Sequence, residues 1–196
     1  MLMTELESMA IAMPEVEGHP NREPFRGVLT VVDTPSDKPP AGARGHRVLL
    51  TRAAAEAARR LAGTGVRTVS VVDFPAGTGT TAERVAEAMG AVACGAVEID
   101  VVIALPALLR RDYRHVLEDL AELVGRAGVP IKVILETCRL SREQKAIGCA
   151  LAKAAGAAFV KTSTGFAEGG ATVEDVALMR SVVGDDMGVK ASGGVR

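Results

Sequence analysis

From Arg47 onward, short β-branched runs alternate with Ala-rich stretches of ten or more residues. The runs Arg47–Leu50, Thr68–Val72, Glu98–Ile103, Ile131–Leu135, Ala158–Lys161 and Gly188–Ala191 are predicted strands. The stretches Ala53–Ala62, Thr80–Cys94, Asp112–Ala127, Ser141–Ala155 and Thr172–Gly184 are predicted helices. Thr80 with Glu83, and Ser141 with Gln144, have capping-box spacing, in which each side chain satisfies an orphan N–H of the first turn. Gly63, Gly128 and Gly156 stand where helices should stop. Before Arg47 the text is rich in Pro, Gly and charge, and only Val28–Val32 reads as a strand. The stretch DTPSDKPPAGARG, Asp33 to Gly45, reads as turn or linker. The expected division is therefore a divergent, partly disordered segment over 1–45 and a β/α domain over 46–196. Repeated βα units imply a parallel sheet with crossover helices, either a closed barrel or an open doubly wound sheet. No G-x-G-x-x-G follows any strand; FPAGTGTT, Phe74 to Thr81, lacks the third glycine of a dinucleotide site.

Polar residues inside the strands change the picture. In a strand every second side chain faces the same way. Glu98 and Asp100 therefore share one face, opposite Ile99 and Val101. Lys132 and Glu136 share a face with Ile134. Two more apolar runs end in lysine, at Lys161 and Lys190. In βα folds such positions project near the C-terminal strand ends, where active sites are built. Isolated burial of these groups is costly, whereas clustered at one mouth they neutralise one another. Two adjacent lysines oppose each other's charge, which favours a free amine able to attack a carbonyl, with Asp100 moving protons. Plainer readings stand beside this one. A lone strand-end lysine is usually solvated, Asp100 alone fits a structural role, and Lys132 with Glu136 fits an ion pair. Gly-rich tails follow both end-strand lysines, Lys161-Thr-Ser-Thr-Gly165 and Lys190-Ala-Ser-Gly-Gly194. They suit a phosphate cradle or an ordinary βα turn.

Composition narrows the class. The chain has 196 residues, 48% of them hydrophobic, which supports a real core and excludes disorder as a whole. With 23 basic and 24 acidic side chains, a net charge of −1 argues against a nucleic-acid binder, and 3% aromatics leave little to stack on bases. No apolar run approaches the ~18 residues of a membrane span, and the N-terminus lacks the basic region of a secretory signal. Cys94, Cys138 and Cys149 are odd in number and, like His19, His46 and His115, lack metal-ligand spacing, so reduced thiols in the cytoplasm are expected.

The segments VVDFPAGTGTT, GAVEIDVVI, KVILET, AGAAFVKTSTGF and VKASGGVR, in this order and spacing, resemble the deoxyribose-phosphate aldolase family. The resemblance runs from about Arg47 to Arg196. It implies a TIM-barrel class I aldolase that needs no metal or organic cofactor. Carried over position by position, it implies Lys161 as the Schiff-base lysine, Lys190 as the lysine that activates it and Asp100 as the proton relay. Lys132 would line the same mouth, and Thr164, Gly165, Gly193 and Gly194 would help hold the substrate phosphate. The implied reaction is reversible cleavage of 2-deoxyribose 5-phosphate to glyceraldehyde 3-phosphate and acetaldehyde, by a cytoplasmic protein that forms a homo-oligomer. Two departures are expected. The family continues past the KASGG strand into an eighth strand with a Gly/Ser phosphate loop, so the barrel is expected to be incomplete. Leu49 falls where the family has a cysteine, and Asp33 is too near it to be the family's first-strand aspartate with its helix between. These departures leave two further readings open: a Schiff-base aldolase for a non-phosphorylated acceptor, and a non-catalytic homologue that associates through an open sheet edge.

Overall fold

The computed structural model describes residues 28–31 and 44–194, with side chains from 53 onward. The linker expected over Asp33–Gly45 lies outside the described residues except for its last two positions, and so does Asp33. The chain runs β1 (Val28–Val31), α1 (Arg44–Leu61), β2 (Arg67–Val72), α2 (Thr81–Ala93), β3 (Glu98–Val102), α3 (Leu105–Leu109), α4 (Tyr113–Ala127), β4 (Ile131–Ile134), a 3-10 turn (Thr137–Arg139), α5 (Arg142–Ala154), β5 (Phe159–Lys161), α6 (Val173–Val183) and β6 (Gly188–Lys190). The alternation of strand and helix is the α/β pattern expected. No helix among the described residues is long and apolar enough to cross a membrane.

The chain divides into two compact units. The first comprises the described residues up to Val71 together with Gly90–Glu98. In it β1 pairs in parallel with β2, Val28 opposite Arg67 and Val31 opposite Ser70. Ala54 and Ala57 of α1 are buried, as are Val69 and Val71 of β2. Gly95 is required by close approach: at φ +99°, a Cβ there would lie 2.6 Å from that of Ala58. Arg47–Leu50, a predicted strand, instead lies within α1. That apolar run continues without a breaker into the strong helix formers of TRAAAEAARRL, and helix propensity over the longer stretch prevails.

The second unit holds β3 to β6 as a parallel sheet in sequence order. Both faces of β3 are buried, as in a sheet covered by crossover helices. Helix α5 packs against α4 and α6. It sits so close to the strand ends that a Cβ on Gly148 would lie 3.1 Å from Leu135. Helix starts follow local chemistry. Ser141 and Gln144 form a complete capping box, Asp112 accepts from the His115 N–H, and Gly128 ends α4 with a left-handed conformation.

Candidate active site

Register across β3–β6 stacks the polar side chains in two layers. Asp100, Lys132, Phe159 and Gly188 align across the sheet, and two residues further along so do Val102, Ile134, Lys161 and Lys190. A spacing of two puts both layers on one face. Asp100 is fully buried; its Oδ1 accepts from Lys132 Nζ at 3.1 Å and its Oδ2 from Lys161 Nζ at 2.9 Å. Lys190 Nζ lies 3.9 Å from the same Oδ2. Burial pushes the Asp100 carboxyl up, but the Lys161, Lys132 and Lys190 ammonium groups outweigh it and hold the group below the usual carboxylate range. The three lysines picked from the strands thus converge on the Asp100 carboxylate. An apolar floor completes the layer. The Phe159 ring lies 5.8 Å from Lys132 Nζ and fills the space that Gly188 leaves: a Cβ on Gly188 would lie 2.0 Å from it.

Above the lysines, the two Gly-rich tails interlock. Thr162 Oγ1 donates to the Ser192 carbonyl at 2.9 Å and accepts the Ser192 N–H at 3.0 Å. Gly165, Gly193 and Gly194 all have positive φ, and a Cβ on Gly193 would lie 3.6 Å from the Gly165 Cα. A Cβ on Gly170 would strike the Gly193 carbonyl at 2.4 Å, so the two backbones touch where side chains are absent. The β2 loop joins this rim, where the Phe74 ring meets Phe166 edge to face at 5.2 Å.

Glu136 departs from its expected place. At φ +56°, ψ +62° it leaves the strand geometry of β4, and its buried carboxylate accepts both the N–H and the hydroxyl of Thr164. Lys132, on the same strand, meets Asp100. The ion pair considered for Lys132 and Glu136 is thus replaced by two separate links, because the left-handed residue swings Glu136 out of the strand's alternation. A second buried charge cluster also escaped sequence reading. Arg84 lies 3.4 Å through Nε from Asp73, donates from its terminal nitrogens to Asp119 and to the Val102 carbonyl, and is 1% exposed. Thr81 donates to Asp119 at 2.8 Å, and Asp73 accepts the N–H groups of Thr78 and Gly79. Asp73, Arg84 and Asp119 carry no local spacing signal. Phe159 had one, its alternation with Lys161.

A family model for DeoC/LacD family aldolases matches residues 43–196. The chain belongs to the DeoC/LacD aldolase family. It is 55% identical over 134 residues to a deoxyribose-phosphate aldolase of Thermococcus kodakarensis, covering 67% of this chain and 60% of that one. A deoxyribose-phosphate aldolase of Brevibacillus brevis is 51% identical over 140 residues, 71% of this chain and 63% of that one. The chain therefore spans about three fifths of the length of the curated relatives it matches. Among solved structures, the aldolase QR15 superposes with a TM-score of 0.71 at 37% identity, covering 74% of this chain and 66% of that one. The deoxyribose phosphate aldolase of Aeropyrum pernix, described as a unique tetramer, gives 0.68 at 27% identity over 86% of this chain and 75% of that one. These aldolase neighbours resolve the choice between barrel and doubly wound sheet in favour of the TIM-barrel aldolase fold.

Proposed function

We propose that this chain cleaves 2-deoxyribose 5-phosphate to glyceraldehyde 3-phosphate and acetaldehyde through a Schiff base on Lys161. One observation carries the reading: Lys161 Nζ lies 2.9 Å from a buried, ionised Asp100 that Lys132 and Lys190 also face. When Lys161 gives up its proton to act as a nucleophile, the other two ammonium groups keep the Asp100 charge compensated. The neutral amine adds to the aldehyde carbon of the open-chain sugar, and loss of water leaves an iminium. Asp100, through a water molecule, takes the proton of the C3 hydroxyl. The C2–C3 electron pair moves into the iminium, which becomes an enamine as glyceraldehyde 3-phosphate departs. Protonation of the enamine carbon and hydrolysis release acetaldehyde and return the amine. Thr164, Gly165, Gly193 and Gly194 serve the phosphate end. The tetrameric structure of the Aeropyrum pernix relative supports a homo-oligomer, and the substrate's chemistry suits the cytoplasm.

The test is release of glyceraldehyde 3-phosphate from 2-deoxyribose 5-phosphate, followed in the full chain. Turnover that falls on the order of 10²–10⁴-fold in Asp100→Asn is the expected result. A folded wild-type sample without turnover contradicts the reading.

A further inference from the structure

We infer that Glu136 is a positioning residue that latches the Lys161–Gly165 turn and thereby sets the phosphate end of the site. This rests on the aldolase reading above. Its carboxylate receives Thr164 twice, by the main-chain N–H at 3.3 and 3.4 Å and by the hydroxyl. Thr164 Oγ1 in turn accepts the Phe166 N–H at 3.1 Å. One carboxylate therefore anchors a chain of hydrogen bonds through Thr164 to Phe166, and charged acceptors make the stronger bonds. A non-glycine residue holds a left-handed conformation only where its surroundings require it, and here it aims the side chain across to β5.

Two main-chain rungs bracket the latch. Leu135 N–H donates to the Lys161 carbonyl and Thr137 N–H to the Thr162 carbonyl, each at 2.9 Å. Lys161 is thus seated by the sheet itself, whereas Thr164 and Gly165, beyond the last rung, depend on Glu136. The consequence is a separation of functions. Loss of the latch should spare imine formation at Lys161 and weaken recognition of the phosphate held above it.

The experiment compares Glu136→Ala, Glu136→Gln and Thr164→Val. Three quantities are read: KM and kcat for 2-deoxyribose 5-phosphate, borohydride trapping of acetaldehyde (which carries no phosphate), and hydrogen exchange in the peptide containing residues 162–166. Glu136→Ala should raise KM about tenfold or more while trapping stays within about twofold. Exchange over 162–166 should quicken. Glu136→Gln, whose amide oxygen still accepts, should recover most of both. Thr164→Val keeps the carboxylate but alters a residue that itself serves the phosphate, so it is read by exchange alone: quickened exchange over 162–166 upholds the latch and unchanged exchange overturns it, which covers the case in which Glu136→Ala fails to fold. In an active protein, an unchanged KM, an equal loss of KM and trapping, or a Gln variant as impaired as the Ala variant overturns the inference. If the wild type itself is neither trapped nor active, the aldolase reading fails on its own. The latch is then judged by exchange alone: quickened exchange in Glu136→Ala upholds it and unchanged exchange overturns it.

Discussion

The second unit buries two charge clusters of opposite design. Around Asp100, three ammonium groups surround one carboxylate. Around Arg84, two carboxylates and a carbonyl surround one guanidinium. The Arg84 cluster uses a planar fork whose terminal nitrogens meet fixed acceptors, together with Thr81, Thr78 and Gly79, and joins the β2 loop, α4 and the end of β3. In the Asp100 cluster the cations are lysines, and Lys190 Nζ stands at 3.9 Å and is partly exposed. A lysine amine can give up its proton, whereas a guanidinium cannot. The contrast separates a scaffold from a site.

The sharpest way to break that contrast is Arg84→Met. Removing the one cation leaves Asp73 and Asp119 buried without it, so stability should fall by about 3–5 kcal/mol in thermal or urea unfolding. Lys161→Met removes one of three cations from a buried carboxylate and should cost less, about 1 kcal/mol, since the remaining two still face Asp100. Comparable losses in both variants would erase the distinction.

Protonation should divide the clusters with opposite signs. The Asp100 carboxyl is held below its ordinary value, so its contribution is present above that value and is lost as pH falls through the lowered one. Asp73 is the reverse: burial, helped by Asp119, outweighs Arg84 and the Gly79 and Thr78 N–H groups and raises its carboxyl. Its neutral form is favoured in the fold, so stability is lost as pH rises from the ordinary value through the raised one. Asp100→Asn should therefore flatten the acid limb below about pH 4, and Asp73→Asn should remove a decline above it. Urea titrations across that range check both slopes.

The smallest effect is read by the thiols. Cys149 is fully buried in α5 and burial pushes its thiol up to about 12, whereas Cys138 is exposed. Iodoacetamide should label Cys138 in the native protein and spare Cys149. In Arg84→Met, but not in Lys161→Met, Cys149 should become labelled as the scaffold opens.

Much of the site could be read from alternation alone. Asp100, Lys132, Lys161 and Lys190 stand out because a charged residue in an apolar strand breaks a period of two, and parallel register then brings them together. Glu136 shows where that logic stops: its φ of +56° takes it out of the strand's alternation and to Thr164, a contact across the sheet that no local pattern encodes. The short α3 spans five residues, too few to show a helical period, although its Pro106 suits a helix's first turn. Arg47–Leu50 is the converse case, a strand-like run absorbed by a longer helix.

The most direct measurement is borohydride trapping with acetaldehyde, followed by peptide mass analysis. The expected result is a reduced two-carbon adduct on Lys161 that disappears in Lys161→Ala and weakens in Lys190→Leu. A folded, soluble sample that gives no adduct, or carries it on another lysine, would contradict the assignment of Lys161 as the nucleophile.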